Sequence, residues 1–229
     1  MASNAVPGFL PSRYGFRFAN RWLSGPARTW SLGLVQVGIG DVGRGLCGGM
    51  AYAARDRFER GEDAPADLAP PAPGTPLFAE IVDRQFASFG RLWTVPLRFW
   101  AAAAMGERPR WRQTVRSAWP AIRAGIDAGE PAMVGLIRSA TTNPLALDLG
   151  HQVVGYRYVE APDRLAIGVY DPNHPGDNSV AVIIERTDGG PRLRQSTGEP
   201  VLGLLHLPWR EAGAWSDACA AQEDPTSGA

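Results

Sequence analysis

The hydrophobic pattern changes its period near residue 130, and this constrains the fold more than any other property of the chain. Upstream, apolar residues recur at helical spacing. Met50, Ala53, Ala54 and Phe58 mark a helix over Cys47 to Arg60, with Arg55, Asp56, Arg57, Glu59 and Arg60 as its polar set and Gly61 as its stop. Leu77, Ile81, Val82 and Phe86 mark a second over 77–90, and Val115, Trp119, Ile122 and Ile126 a third over 113–129. Downstream, short runs over 131–137, 151–159, 165–170, 179–185 and 201–207 are separated by turn residues and read as antiparallel strands. Helices first and strands second predict an α+β fold, with two lobes on one continuous core.

This places a single domain over 1–212, with a helical lobe over about 29–129, a β lobe over about 130–210 and a mobile tail over 213–229. Residues 1–28 form a turn-rich arm that Phe9, Tyr14, Phe16, Phe18 and Trp22 pin to the body. Residues 29–37 alternate weakly as a strand would, and 61–76 are an Ala/Pro-rich surface loop. The aromatic segment 92–104 has no clear period. Trp93, Trp100, Trp111 and Trp119 either line a cleft or fill the core, and at this density the core is the usual place.

Composition narrows the function classes. The net charge of zero gives no reason to expect nucleic acid or an acidic membrane as partner. All 23 basic residues are Arg, which excludes Schiff-base chemistry on a lysine. Two cysteines, Cys47 and Cys219, are too few for a disulfide framework or a Cys-rich zinc site, so no metal or cofactor is expected. A Cys47–Cys219 disulfide rests on the count alone. No apolar run reaches transmembrane length, and the N-terminus lacks a basic n-region and an apolar h-region. A cytoplasmic setting is the expectation. The pattern carries no signal of oligomeric state.

Cys47 stands behind a glycine-rich stretch and opens the first predicted helix. The unpaired N–H groups and dipole of a helix's first turn favour a thiolate there. Of His151, His174 and His206, only His151 begins a clear hairpin, whose second strand runs into Tyr170-Asp171-Pro172-Asn173. A turn centred on Ala161 or Pro162 sets His151 opposite Asp171 or Asn173, where cross-strand Cβ atoms lie about 4.5–5.5 Å apart. A carboxylate or amide at that distance fixes the tautomer of a base. His174 lies in a turn sequence and reads as a surface residue. His206 reads as part of a strand's polar face.

The set Gly45-Leu46-Cys47-Gly48-Gly49-Met50, Gly150-His151-Gln152-Val153-Val154 and Tyr170-Asp171-Pro172-Asn173 resembles the papain-like superfamily of cysteine peptidases, and within it the bacterial C39-like type. The resemblance implies a two-lobed fold with Cys47 as nucleophile, His151 as base and Asp171 (or Asn173) as orienter. It implies a hydrolase or acyltransferase that acts on a peptide, amide or thioester through an acyl-enzyme. Such enzymes usually carry a Gln about six residues before the cysteine as an oxyanion donor. Here Asp41 occupies that place, which leaves Gln36 and Asn20 as candidate donors beside the Cys47 N–H. The missing Gln also motivates an alternative, a catalytically silent fold that binds a peptide or protein.

Two other motifs compete for the same residues. Gly38-Ile39-Gly40-Asp41-Val42-Gly43 matches the dinucleotide pattern G-x-G-x-x-G, but no parallel βαβ unit follows it. The glycines read instead as a curl of backbone beneath the thiol. Asp171, Asn173, Asp177 and Asn178 offer oxygens to a cation, but without an EF-hand spacing.

Overall fold

The structure, a computed structural model, describes residues 1–32, 35–41, 43, 45–91, 94–143, 150–187 and 190–209, with 27–40 as backbone only. The chain is α+β. Strand β1 (Ala2–Ala5) and a short helix α1 (Pro11–Tyr14) lead into a hairpin of β2 (Pro26–Leu32) and β3 (Val35–Asp41). Helices α2 (Cys47–Arg60), α3 (Pro76–Ser88) and α4 (Thr94–Ala104) follow. Helix α5 (Glu107–Gln113) runs through a π-helical turn (Thr114–Ala118) into α6 (Trp119–Asp127). The remaining strands are β4 (Ala132–Ile137), β5 (Gly150–Glu160), β6 (Arg164–Tyr170), β7 (Ala181–Thr187), β8 (Gly190–Gln195) and β9 (Gly203–His206).

The main sheet runs β8-β7-β6-β5-β4-β9, all antiparallel, and β1 extends it by pairing with the far end of β5. Strand β4 is buried along its whole length, with β5 and β9 paired to its two edges and α4 and α6 packed against it. The arm thus contributes a strand, which four short residues did not announce. The expected strand over 29–37 falls on two paired strands, β2 and β3, and within the open segment 92–104 residues 94–104 form helix α4.

Helix α2 positions the site. Residues Gly48 to Arg57 are buried all round, because the sheet covers one side and α3 the other. Its middle therefore carries charge only with partners. Asp56 meets Arg84 at 2.7 Å and Trp209 Nε1 at 3.1 Å, and Arg57 meets Glu80 at 2.8 Å. Arg55 lies over the Trp209 ring and bonds Glu59. Arg55, Asp56 and Arg57 of the predicted polar set thus tie α2 to α3 and to Trp209.

Two cores meet at this helix. One joins the sheet to α4, the π-turn and α6. The other packs Phe16, Phe18, Leu46, Met50, Phe78 and Ile81 between the arm, α2 and α3. Gly48 and Gly49 belong to the helix and do not curl as a loop. A Cβ on Gly49 would strike Ile81 O and Gln85 N, and one on Gly48 would strike Ser88 Oγ and Gln152 Nε2. Their lack of a side chain lets α3 and β5 approach the start of α2. Of the motif at 38–43, residues 38–41 lie in β3, so those glycines open no helix. Among the described residues no helix is long and apolar enough to cross a membrane.

Candidate active site

Cys47 is the first residue of α2 and a free, half-buried thiol; Cys219 lies outside the described residues. The residue before it, Leu46, has no side chain able to cap the helix. Gln85 of α3 supplies the missing acceptor, its Oε1 taking the Gly49 N–H at 2.8 Å, and Asn20 fixes the entry from the arm, its Oδ1 taking the Leu46 N–H at 2.6 Å and Trp22 Nε1–H at 3.3 Å. Two donors on one side fix the amide, so Nδ2 faces the other way, 3.4 Å from Asn173 Oδ1. Asn20 is itself held by its backbone N–H on Pro172 O at 2.9 Å. Gly45 has φ +89°, and a Cβ there would meet the Asn20 amide.

His151 is buried on β5. Its Nε2 is 2.6 Å from Asp171 Oδ1, and the ring also hydrogen-bonds the Cys47 thiol. With Nε2 committed to the carboxylate, Nδ1 is the nitrogen that faces sulfur. The expected cross-strand opposition is not how this contact forms. His151 pairs with Leu136 of β4, and β6 ends at Tyr170 opposite Val154, with a bulge between Gly155 and Arg157. Asp171 lies past the end of β6, where the chain turns and aims its side chain back across the sheet end. Asn173 does not orient the base; its N–H donates to Asp171 Oδ1 at 2.8 Å.

Asp171 is fully buried and accepts three hydrogen bonds. Oδ1 accepts from His151 and Asn173, and Oδ2 accepts Gln195 Nε2 at 2.7 Å, with Arg138 Nη2 at 3.6 Å. Gln195 is fully buried at the end of β8, and its Oε1 takes Arg138 Nη2 at 3.0 Å. Sequence reasoning missed Gln195 and Arg138. Neither belongs to a motif, and β8 carries too little alternation to announce a strand.

The charges couple. Burial favours a neutral imidazole, but the Asp171 charge and hydrogen bond and the Cys47 contact prevail, raising the His151 pKa to about 9. Burial opposes ionisation of Asp171. The imidazolium, the Asn173 N–H and the Gln195 amide outweigh it and hold the carboxyl well below its usual range. Burial also pushes the Cys47 thiol up, while His151 and the Gln152 backbone N–H bring it down to a net lowering. The arrangement favours a thiolate–imidazolium pair on a buried carboxylate.

A cleft of about 520 Å³ opens onto the thiol, walled by Asn20, Trp22, Arg138, His151, His174 and Glu199. His174, expected at the surface, lines this cleft and lies 2.9 Å from Glu199. His206 is half-buried and does not line the cleft; burial and the nearby Arg98 lower its pKa. Asp41 receives Gly25 N–H and Gly43 N–H, so its carboxylate anchors the base of the hairpin and leaves the oxyanion role to others. Gln36 pairs with Ser31 through the hairpin backbone, and its side chain lies outside the described residues. Of the tryptophans, Trp119 is buried against Tyr158, Trp111 is half-buried and Trp100 bonds Thr142 O. None of these three lines the cleft, and Trp93 is outside the described residues. The oxygens considered for a cation are engaged otherwise: Asp177 Oδ1 accepts the Ser179 N–H in a turn, and Asn178 Oδ1 accepts the Ser12 N–H of α1.

Comparison with protein-family models, with curated proteins and with solved structures finds no match to this chain.

Proposed function

We propose that this chain is a papain-like cysteine hydrolase or acyltransferase, of C39-like type, acting on a peptide, amide or thioester acyl group. The observation that carries the reading is the convergence of Cys47, His151 and Asp171, from three separate elements, into one hydrogen-bonded series at the floor of a cleft. The two cores on either side of α2 support the two-lobed description.

In this mechanism the Cys47 thiolate attacks the acyl carbon and forms the C–S bond. The carbonyl oxygen gains charge and is met by Asn20 Nδ2 and by the Cys47 backbone N–H, which as a first-turn donor has no partner within the helix. The tetrahedral species collapses, the bond to the leaving nitrogen, oxygen or sulfur breaks, and the His151 imidazolium gives the leaving group its proton. Neutral His151 then takes a proton from water, or from an acceptor nucleophile, which attacks the thioester. The C–S bond breaks, and the proton held by His151 restores the ion pair. Asp171 stays ionised throughout and holds the imidazole with Nδ1 toward sulfur.

A broad acyl-directed activity probe tests the reading. Wild type is expected to become covalently labelled at Cys47, while Cys47→Ser and His151→Ala are not. Wild type left unlabelled, with ligand still captured in the cleft, would favour the catalytically silent binding module.

A further inference from the structure

The cleft carries more positive than negative charge. Among the described residues that line it, Arg138 and Arg21 bring guanidinium groups, and Glu199 brings the carboxylate. Glu199 is already engaged by His174 and by Thr197 Oγ1. Arg138 follows the last residue of β4, and its side chain is 21% exposed. Its short bond, from Nη2, goes to the neutral Gln195 Oε1, and its Nε is buried with no hydrogen-bond partner. Its Nη2 also lies 3.6 Å from Asp171 Oδ2, a buried ion pair longer than a normal hydrogen bond. A guanidinium has five donors in a planar fork suited to a carboxylate.

We propose that Arg138 is the anion-recognition residue of this cleft, and that the acyl substrate carries a carboxylate which meets its guanidinium. This names a substrate class for the proposed hydrolase and rests on that reading. Cys47 and Arg138 line the same cleft from different elements, α2 and the end of β4. Cys47 faces Nδ1 of His151, Asp171 faces Nε2, and Arg138 stands beyond Asp171. The carboxylate therefore lies several bonds from the acyl carbon, as at the far end of a dicarboxylic acyl group or at a nearby acidic side chain. The same guanidinium links substrate to machinery, because its Nη2 also braces the Gln195 amide that holds Asp171.

The test is the rate of Cys47 alkylation by N-iodoacetyl-β-alanine divided by the rate with its neutral amide. The ratio cancels the nucleophilicity of the thiol and leaves the preference for charge. Wild type is expected to favour the anionic probe, and Arg138→Gln to lower the ratio about tenfold, a difference of ~1.4 kcal/mol. Arg138→Lys should keep part of the preference. An unchanged ratio in Arg138→Gln, or a loss found only in Arg21→Gln, would overturn the assignment. Should Arg138→Gln not fold, the wild-type ratio is followed against salt. Screening should shrink it, and a ratio indifferent to salt would also overturn the proposal. The neutral probe alone reports thiol activation, so failure of the hydrolase reading appears in that rate and failure of the Arg138 assignment in the ratio.

Discussion

Asp171→Asn isolates what the buried carboxylate does. In wild type, four donors converge on it: His151 Nε2, the Asn173 N–H, Gln195 Nε2 and, more distantly, Arg138 Nη2. A carboxylate accepts the three hydrogen bonds and attracts the guanidinium. An amide has one accepting side, so either orientation sets its NH₂ against donors. That mismatch costs roughly 1–3 kcal/mol. The larger effect is electrostatic. Without the negative charge, burial is opposed only by the Cys47 contact, and the His151 pKa falls from about 9 toward its ordinary ~6.5. At ~1.36 kcal/mol per unit, this removes on the order of 3 kcal/mol from the thiolate–imidazolium pair, or about 10²-fold in its population. The assay is iodoacetamide alkylation of Cys47 across pH. Wild type should react rapidly already near about pH 6, whereas Asp171→Asn should rise as an ordinary thiol does, around ~8.5. The two should differ by about 10²-fold at low pH and converge above about pH 9. Identical profiles for the two proteins would refute the reasoning.

Other consequences follow from the same contacts. His151 is raised in the folded state, so its stabilisation is complete below ~6.5 and is lost as pH rises through about 9. Asp171 is depressed, so its stabilisation is complete above ~3.9 and is lost as pH falls through its folded value. Urea unfolding should therefore show a maximum from this pair between about pH 4 and pH 6.5 and a decline toward pH 9, which Asp171→Asn flattens. Gly49→Ala forces α3 away from α2, because the added methyl meets Ile81 O and the Gln85 backbone. A loss of about 1–3 kcal/mol, seen as a melting temperature lower by several degrees, is expected. Asn20→Ala removes both the acceptor for the Leu46 N–H and the proposed oxyanion donor. It should weaken inhibition by a peptide aldehyde about 10²-fold, with a far smaller change in iodoacetamide alkylation.

Much of the architecture was legible because period and position agree. The α2 boundaries follow from apolar spacing and from Gly61, which closes the helix with φ +68°. The strands from β4 to β7 follow from alternation between turn residues, and Cys47, His151 and Asp171 from their order along the chain. What escaped depends on contacts distant in sequence. Strand β1 is too short to show a period and exists because β5 outruns β4. The buried charges of α2 look like a solvated face until α3 and Trp209 cover them. The meeting of His151 and Asp171 was foreseen for a different reason from the one that produces it, since a bulge and a strand end replace direct opposition. Gln195 and Arg138 reach the site only through the folding of β8 and the end of β4, and no local pattern marks either.

Catalysis as proposed requires Cys47 to form an acyl-enzyme with help from His151, and trapping that species tests it most directly. Wild type mixed with p-nitrophenyl acetate should release a burst of nitrophenolate close to one equivalent and carry an acetyl adduct on the Cys47 peptide by mass spectrometry. Cys47→Ser and His151→Ala should show neither. Nitrophenolate release without a burst, at equal rates in all three proteins and with no adduct on Cys47, would contradict the account.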